Sequence, residues 1–319
     1  MTGSRSVTWV YNTPAATMHL RCFVAVIFLV FGAGNLLAQE RWSASRLDGS
    51  SVPETIVKET RQMVPHGLPD GLIEAYGGKG DITASWYADP TTRYGHGILG
   101  DAIEASRLIV RMRGGRQLAF SLPETEVFED RYPRLADLDR DGTTEIVTIR
   151  SSVSLGASVT VYGVAGNRLV QRATTGFIGL ANRWLNIAGI ADFRGTGKMQ
   201  IAFVRTPHIG GTLLIYDLDE SGLKQVGVLD GFSNHVIGSR EMRLSALADI
   251  NGDGRMDLAL PSADRRRLRI VGFAGGTLTE FASARVPARI DKAIAVKGSG
   301  QAARFVVGLE NAEIHEIHR

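Results

Sequence analysis

Beyond about residue 80 the chain is a succession of short apolar runs separated by turns rich in glycine, aspartate and asparagine. Runs of roughly four to eight residues between turn formers predict strands, since helices need longer periodic stretches. One segment recurs in a fixed phase: Leu135-Ala136-Asp137-Leu138-Asp139-Arg140-Asp141-Gly142, then Ile190-Ala191-Asp192-Phe193-Arg194-Gly195-Thr196-Gly197, then Leu247-Ala248-Asp249-Ile250-Asn251-Gly252-Asp253-Gly254. Their first aspartates stand 55 and 57 residues apart. Each copy is followed by a strand-like run (145–149, 200–204, 257–260), a second (158–162, 212–216, 267–271) and a third (168–172, 224–228, 277–281). A fourth run leads into the next copy (185–190, 244–248, 292–296). Four short strands per repeat of about 50 residues is the unit of a β-propeller blade. One blade cannot bury both faces of its sheet, so blades must stack.

The ends of the pattern predict how the ring closes. A degenerate first blade would use residues 97–100, 107–112, 116–122 and 126–129. The last repeat offers three strands only, 292–296, 305–309 and 313–317, while residues 81–88 form an unassigned strand ahead of the first blade. Pairing 81–88 with the C-terminal strand would remove an open sheet edge. The expected fold is all-β: a β-propeller of four-stranded blades spanning 81–319 and closed by an N-terminal strand. The count is five blades; six or seven would need further strands. Residues 39–80 read as an N-terminal extension with a short helix within 54–63.

The first 38 residues have a different texture. Arg21 precedes an apolar run over 23–31 that continues to the small residue Ala38. That is the layout of a secretory signal, with Met18 as an alternative start. The apolar stretch is shorter than the roughly 20 residues of a membrane span. The mature protein is expected to begin near Gln39, in the periplasm or outside the cell, with no membrane insertion. The whole chain carries a net charge of +3; residues 1–38 contain Arg5 and Arg21 and no acid, so 34 basic residues then face 33 acidic ones. This balance offers no footprint for nucleic acid. The only cysteine, Cys22, lies in the signal, which excludes disulfides and thiol chemistry from the mature chain. Something else must staple an exported fold, and metal ions are one candidate.

The recurring loops carry that chemistry. Asp137, Asp139, Asp141 and Glu145 occupy loop positions 1, 3, 5 and 9; Asp249, Asn251, Asp253 and Asp257 repeat the pattern. Calcium takes six to eight hard oxygen ligands, which alternating acids on a sharply turning loop supply. Thr143 and Arg255 would add main-chain carbonyls at position 7. Position 12 is Thr148 or Leu260 rather than glutamate, and the flanks are strands. These residues resemble the FG-GAP/VCBS repeats of integrin-like propellers and exported bacterial proteins, over roughly residues 90–300. The resemblance implies a calcium-binding propeller with two occupied sites. At Asp192 the acids are replaced by Arg194, Thr196 and Gln200, so no calcium is expected there, and Arg194 is expected to set its own cation in the metal's place.

Loops at the opposite strand ends collect Tyr94 and His96, Asn182, Arg183 and Trp184, His208, and Asn234, His235 and Arg240. In integrin-like relatives that face binds partners, so the resemblance implies a binding face here. The leading expectation is a monomeric binding or interaction module whose ligand is a protein or a carbohydrate. The alternative is a hydrolase or lyase acting on an extracellular polymer with loop histidines and arginines. Nucleophile-elbow, zinc-protease and phosphate-loop motifs are absent. His315-Glu316-Ile317-His318 lacks the spacing of helical zinc ligands, and Arg265 to Arg267 beside Asp264 read as a solvated loop.

Overall fold

The computed structural model describes residues 42–48, 51–65 and 67–319; the signal expected over 1–38 and its cleavage near Gln39 fall outside them. In chain order the elements are β1 (Ser43–Arg46), helix α1 (Glu54–Val57), β2 (Glu74–Ala75), β3 (Ile82–Thr91), β4 (Glu104–Met112), β5 (Gln117–Ser121), β6 (Glu126–Phe128), β7 (Arg134–Ala136), β8 (Glu145–Ser152), β9 (Gly156–Ala165), β10 (Arg168–Thr174), β11 (Leu185–Ala191), β12 (Gln200–Arg205), β13 (Thr212–Asp219), β14 (Gly222–Asp230), β15 (Ala246–Ala248), β16 (Asp257–Pro261), β17 (Arg267–Ala274), β18 (Thr277–Arg285), β19 (Ile290–Lys297), β20 (Arg304–Leu309) and β21 (Ile314–His318). The fold is all-β. Among the described residues no helix is long and apolar enough to cross a membrane.

Pairing among the described strands is antiparallel and mostly between sequence neighbours, as short glycine-bearing turns favour. β11 to β14 form one four-stranded sheet, β15 to β18 another, and β19, β20, β21 and β1 a third. β2 to β5 and β7 to β10 are two further runs, which β6 joins by pairing with both β4 and β8. Alternation along each strand then divides its side chains between two cores. In β12, Ile201 and Phe203 pack with Val147, Ile149 and Val159 of the preceding run, whereas Ala202 and Val204 pack with Leu258, Leu260 and Val271 of the following sheet. The period of 2 explains why these strands are apolar throughout: each is buried on both faces.

Two expectations are corrected. Residues 81–88 do not pair with the C-terminal strand. β3 pairs with β2 and β4, and its Ile82 and Tyr87 sit in a core with Leu108 and Val110. The partner of β21 is β1, with Ser43 opposite His318 and Arg46 opposite His315. Trp42 drives this choice: it is buried with its ring 6.0 Å from that of Phe305. The helix expected within 54–63 is one turn long. Pro53 at its start offers no side-chain cap, and Lys58 is already extended.

Candidate functional site

The three recurring loops join β7 to β8, β11 to β12 and β15 to β16, and they share one internal scaffold. The position-1 aspartate accepts a hydrogen bond from the position-6 glycine N–H: Asp137 from Gly142 (3.1 Å), Asp192 from Gly197 (2.7 Å), Asp249 from Gly254 (2.9 Å). These glycines have φ of +90°, +81° and +81°, a left-handed turn that side chains with a Cβ resist. The position-9 side chain accepts from the position-2 N–H: Glu145 from Leu138 (2.8 Å), Gln200 from Phe193 (2.8 Å), Asp257 from Ile250 (3.1 Å). Leu138, Phe193 and Ile250 are buried beneath. An amide performs this capping as well as a carboxylate, which explains how Gln200 replaces an acid without loss of the loop.

Charge separates the copies. In the first, oxygens of Asp137, Asp139 and Glu145 lie within 4.8 Å of one another, and Asp137 Oδ1 is buried without a hydrogen-bond partner. Burial raises the Glu145 carboxyl to about 7, against the lowering pull of the Leu138 N–H and Arg172. An unspent buried lone pair among three carboxylates suits a hard cation. Arg172 supplies a competing positive charge by pairing with Glu145 and, at 2.9 Å, with Asp139. Asp141 turns away onto Thr143, whose N–H and hydroxyl both reach it at 2.7 Å. In the copy at Asp249, Asp253 is held by Arg255 and by Asn251 Nδ2 (3.2 Å), while burial raises Asp257 to about 7. In the copy at Asp192 the expected stand-in is corrected: Arg194 pairs with Asp217 on β13 and makes no ion pair with Asp192.

Loops at the other strand ends build a pocket of about 90 Å³ lined by His96, Ile98, Asn182, Arg183, Trp184, Thr206, His208, Ile209 and Ile237. Behind it runs an ordered set of polar contacts. His96 Nδ1 lies 2.6 Å from Glu129 Oε1, and Ser151 donates to Glu129 Oε2 at 2.5 Å. Glu129 is fully buried, and burial raises its carboxyl against the pull of His96. Its backbone oxygen accepts from Trp184 Nε1 at 3.0 Å. The indole ring stacks parallel to His208 and meets His235 edge-on at 4.6 Å. His235 Nε2 contacts the Ser239 carbonyl (2.9 Å), and His235 Nδ1 contacts His208 Nε2 (3.1 Å). Burial lowers His208 to about 4 and His235 to about 3, so both rings are neutral near pH 7. A carbonyl can only accept, so His235 carries its proton on Nε2 and leaves Nδ1 bare. His208 must then donate from Nε2, which leaves its Nδ1 as a lone pair.

The expected binding residues divide accordingly. His96, Asn182, Arg183, Trp184 and His208 meet at the pocket. His235 is fully buried behind it. Tyr94 is buried, its hydroxyl accepting from the Asn182 N–H at 3.1 Å. Asn234 is corrected as a ligand contact, and Arg240 does not line this pocket. Asn234 is fully buried and exchanges amide–backbone bonds with Asn186 (3.0 and 3.2 Å), because the turn entering β15 needs those backbone groups satisfied. Arg240 is held in ion pairs with Asp70 (3.2 Å) and Asp101 (2.6 Å). Thr206, which precedes His208 in the same loop, also meets the pocket; the residues missed by sequence are Glu129, Ser151, Ile209 and Ile237. The available signals were acids directly after the apolar Val127-Phe128, and isoleucines standing beside glycines in loops. Thr206 has φ +50°, unusual for a β-branched residue, and is pinned there by N–H bonds to and from Trp184 and Ile209. Such strain concentrates at functional sites.

No protein-family profile and no curated protein matches this chain. Solved structures to which the chain is similar include the rhamnogalacturonan lyase YesW (14% identity, TM-score 0.47, covering 84% of this chain and 51% of that one). A Bacillus licheniformis rhamnogalacturonan lyase (13%, TM-score 0.45, 80% and 50%) and the exotype rhamnogalacturonan lyase YesX (13%, TM-score 0.40, 79% and 56%) are also similar. The chain spans about half the length of these proteins.

Proposed function

We propose that this protein is an exported five-bladed propeller of the FG-GAP/VCBS type, stabilised by calcium at its acidic loops, that binds a protein partner through the opposite loops. The sheet-by-sheet stacking and the completion of the last sheet by β1 support the propeller. The observation that carries the binding role is an apolar rim. Leu180, Ile209 and Ile237 are 55%, 64% and 66% exposed in three separate loops, and two of them line the pocket. Exposed aliphatic groups converging on a mostly apolar recess suit an inserted apolar side chain. Trp184 is only 2% exposed, so among the described residues the pocket's indole offers no open face to a sugar ring, which favours a protein over a carbohydrate. Proximity labelling in the native cell, with wild type and the double variant Ile209→Asp/Ile237→Asp, tests this. The variant should lose partners by about 30-fold in affinity, the effect of a 2 kcal/mol hot spot. An unchanged partner set would sink the reading.

A second reading, a lyase or hydrolase on an extracellular polymer, is favoured by the His96–Glu129 pair beside Arg183. His96 would take a proton while Arg183 met a substrate carboxylate. Turnover of an acidic polysaccharide falling about 100- to 10,000-fold in His96→Ala would establish it; no turnover by wild type would exclude it.

Calcium is expected at both acidic loops, with affinity near 10⁻⁴ to 10⁻³ M, as in extracellular modules. At tenfold excess over its dissociation constant each site adds about 1.4 kcal/mol. Chelation should lower Tm, and Asp139→Asn should blunt that response while Glu145→Gln keeps the loop cap. A melting curve indifferent to calcium and chelator would remove calcium from the proposal.

A further inference from the structure

His96 and His208 present a second arrangement in the pocket, one that goes beyond partner docking. Each imidazole is held from behind through one nitrogen. His96 Nδ1 is held by the buried carboxylate of Glu129 and His208 Nε2 by His235, itself fixed on the Ser239 carbonyl. Each ring is therefore left with one uncommitted nitrogen, Nε2 of His96 and Nδ1 of His208. Neither nitrogen has a hydrogen-bond partner among the described residues, and both rings line the same recess of about 90 Å³. Trp184 stacks on His208 and bonds the Glu129 backbone, so one side chain braces both supports. Imidazoles ordered from behind by a carboxylate or another acceptor are how proteins prepare transition-metal ligands, because the second contact fixes tautomer and ring plane.

We propose that His96 Nε2 and His208 Nδ1 form a two-histidine site for a divalent transition-metal ion of the nickel, copper and zinc class, with Glu129 and His235 as positioning residues. Imidazole selects such ions over calcium, which prefers oxygen. The remaining coordination positions open into the pocket. The site is separate from the acidic loops, whose donors are carboxylates.

Zinc is titrated calorimetrically into the purified, tag-free full chain with calcium in excess. One equivalent should bind, uncontested by calcium. His96→Ala and His208→Ala should each weaken it at least tenfold. Glu129→Gln, which leaves both ligand nitrogens in place, should weaken it about 10- to 100-fold. His315→Ala/His318→Ala should change nothing. With copper, electron paramagnetic resonance should show hyperfine coupling to two imidazole nitrogens in wild type and one in either single variant. Retained thermal melting identifies folded variants; should either alanine variant fail to fold, His96→Gln and His208→Gln replace it. Zinc binding that is absent in wild type, or equal in wild type and both histidine variants, would overturn the proposal. Ile209→Ala/Ile237→Ala removes the apolar rim, adds no metal-binding group and spares both histidines, so docking and metal binding stand or fall separately.

Discussion

Removing residues 39–47 is expected to abolish cooperative unfolding. β1 is only four residues long, yet it completes the sheet of β19 to β21 and caps the otherwise open edge of β21. Leu47 extends the ladder by donating to the Ile314 carbonyl at 2.8 Å. Trp42 enters a core with Ala259, Ile270, Phe305 and Ile317, and Arg319 lies over its indole at 5.5 Å. The single change Trp42→Ala removes the largest of these side chains and should cost about 3–5 kcal/mol, as buried aromatic truncations do. Set against a typical stability of roughly 5–15 kcal/mol, that is a large fraction. Urea denaturation reads both: a lower midpoint for Trp42→Ala, and a broadened transition with a smaller slope for the truncation. A truncated chain with the wild-type midpoint and slope would show that β1 is dispensable.

Adjacent buried acids should behave oppositely. Glu129 and Asp130 are both fully buried, one after the other on the same segment. Asp130 takes an N–H bond from Arg131 (2.9 Å), a hydroxyl bond from Tyr87 (3.0 Å) and the guanidinium of Arg134. Arg134 in turn lies over the Tyr132 ring at 4.4 Å, with Arg61 against the same ring at 4.0 Å. Asp130→Asn leaves Arg134 without its counter-charge in a place water barely reaches. Breaking a buried pair from one side costs about 3–5 kcal/mol. Glu129→Gln keeps shape and can still bond Ser151 and His96, so it should cost about 1 kcal/mol of stability. Its effect should fall on the pocket, as weaker zinc binding. Thermal denaturation paired with the zinc titration separates the two. Equal destabilisation by both changes would mean that Glu129 is scaffold like Asp130.

A third buried acid sharpens the contrast. Burial, with Glu129 nearby, pushes the Glu104 carboxyl far above its usual range, so it is neutral near pH 7 in the folded chain and ionised in the unfolded one. A raised carboxyl costs stability above its unfolded pKa, increasingly as pH rises towards the folded value. Glu104→Gln should therefore stabilise the protein at pH 8 more than at pH 5, by up to about 4 kcal/mol, the linkage of one carboxyl over three pH units. Equal melting shifts at both pH values would contradict this.

What could be read without coordinates was written within a few residues of itself. The strand–turn rhythm, the acidic loops and the weakened copy at Asp192 are local patterns, and the loop scaffolds follow them. Gly142, Gly197 and Gly254 turn where an αL residue is needed, and Leu138, Phe193 and Ile250 dip under the turn. Most strands appear at or near the expected positions because period-2 burial and turn chemistry act over short range. Tertiary structure decided the rest. Residues 81–88 and 43–46 are both plausible edge strands; Trp42 finding the Phe305 core chose the second. Whether Arg194 meets Asp192 or Asp217 depended on which carboxylate the neighbouring strand brought near. Asn234 and His96 look alike as polar loop residues, yet one ended satisfying buried backbone and the other facing a pocket. The His96–Glu129–Ser151 and His208–His235–Ser239 chains join loops far apart in sequence. Their partners are selected by the burial of whole sheet faces, a cost and gain that no short window of sequence contains.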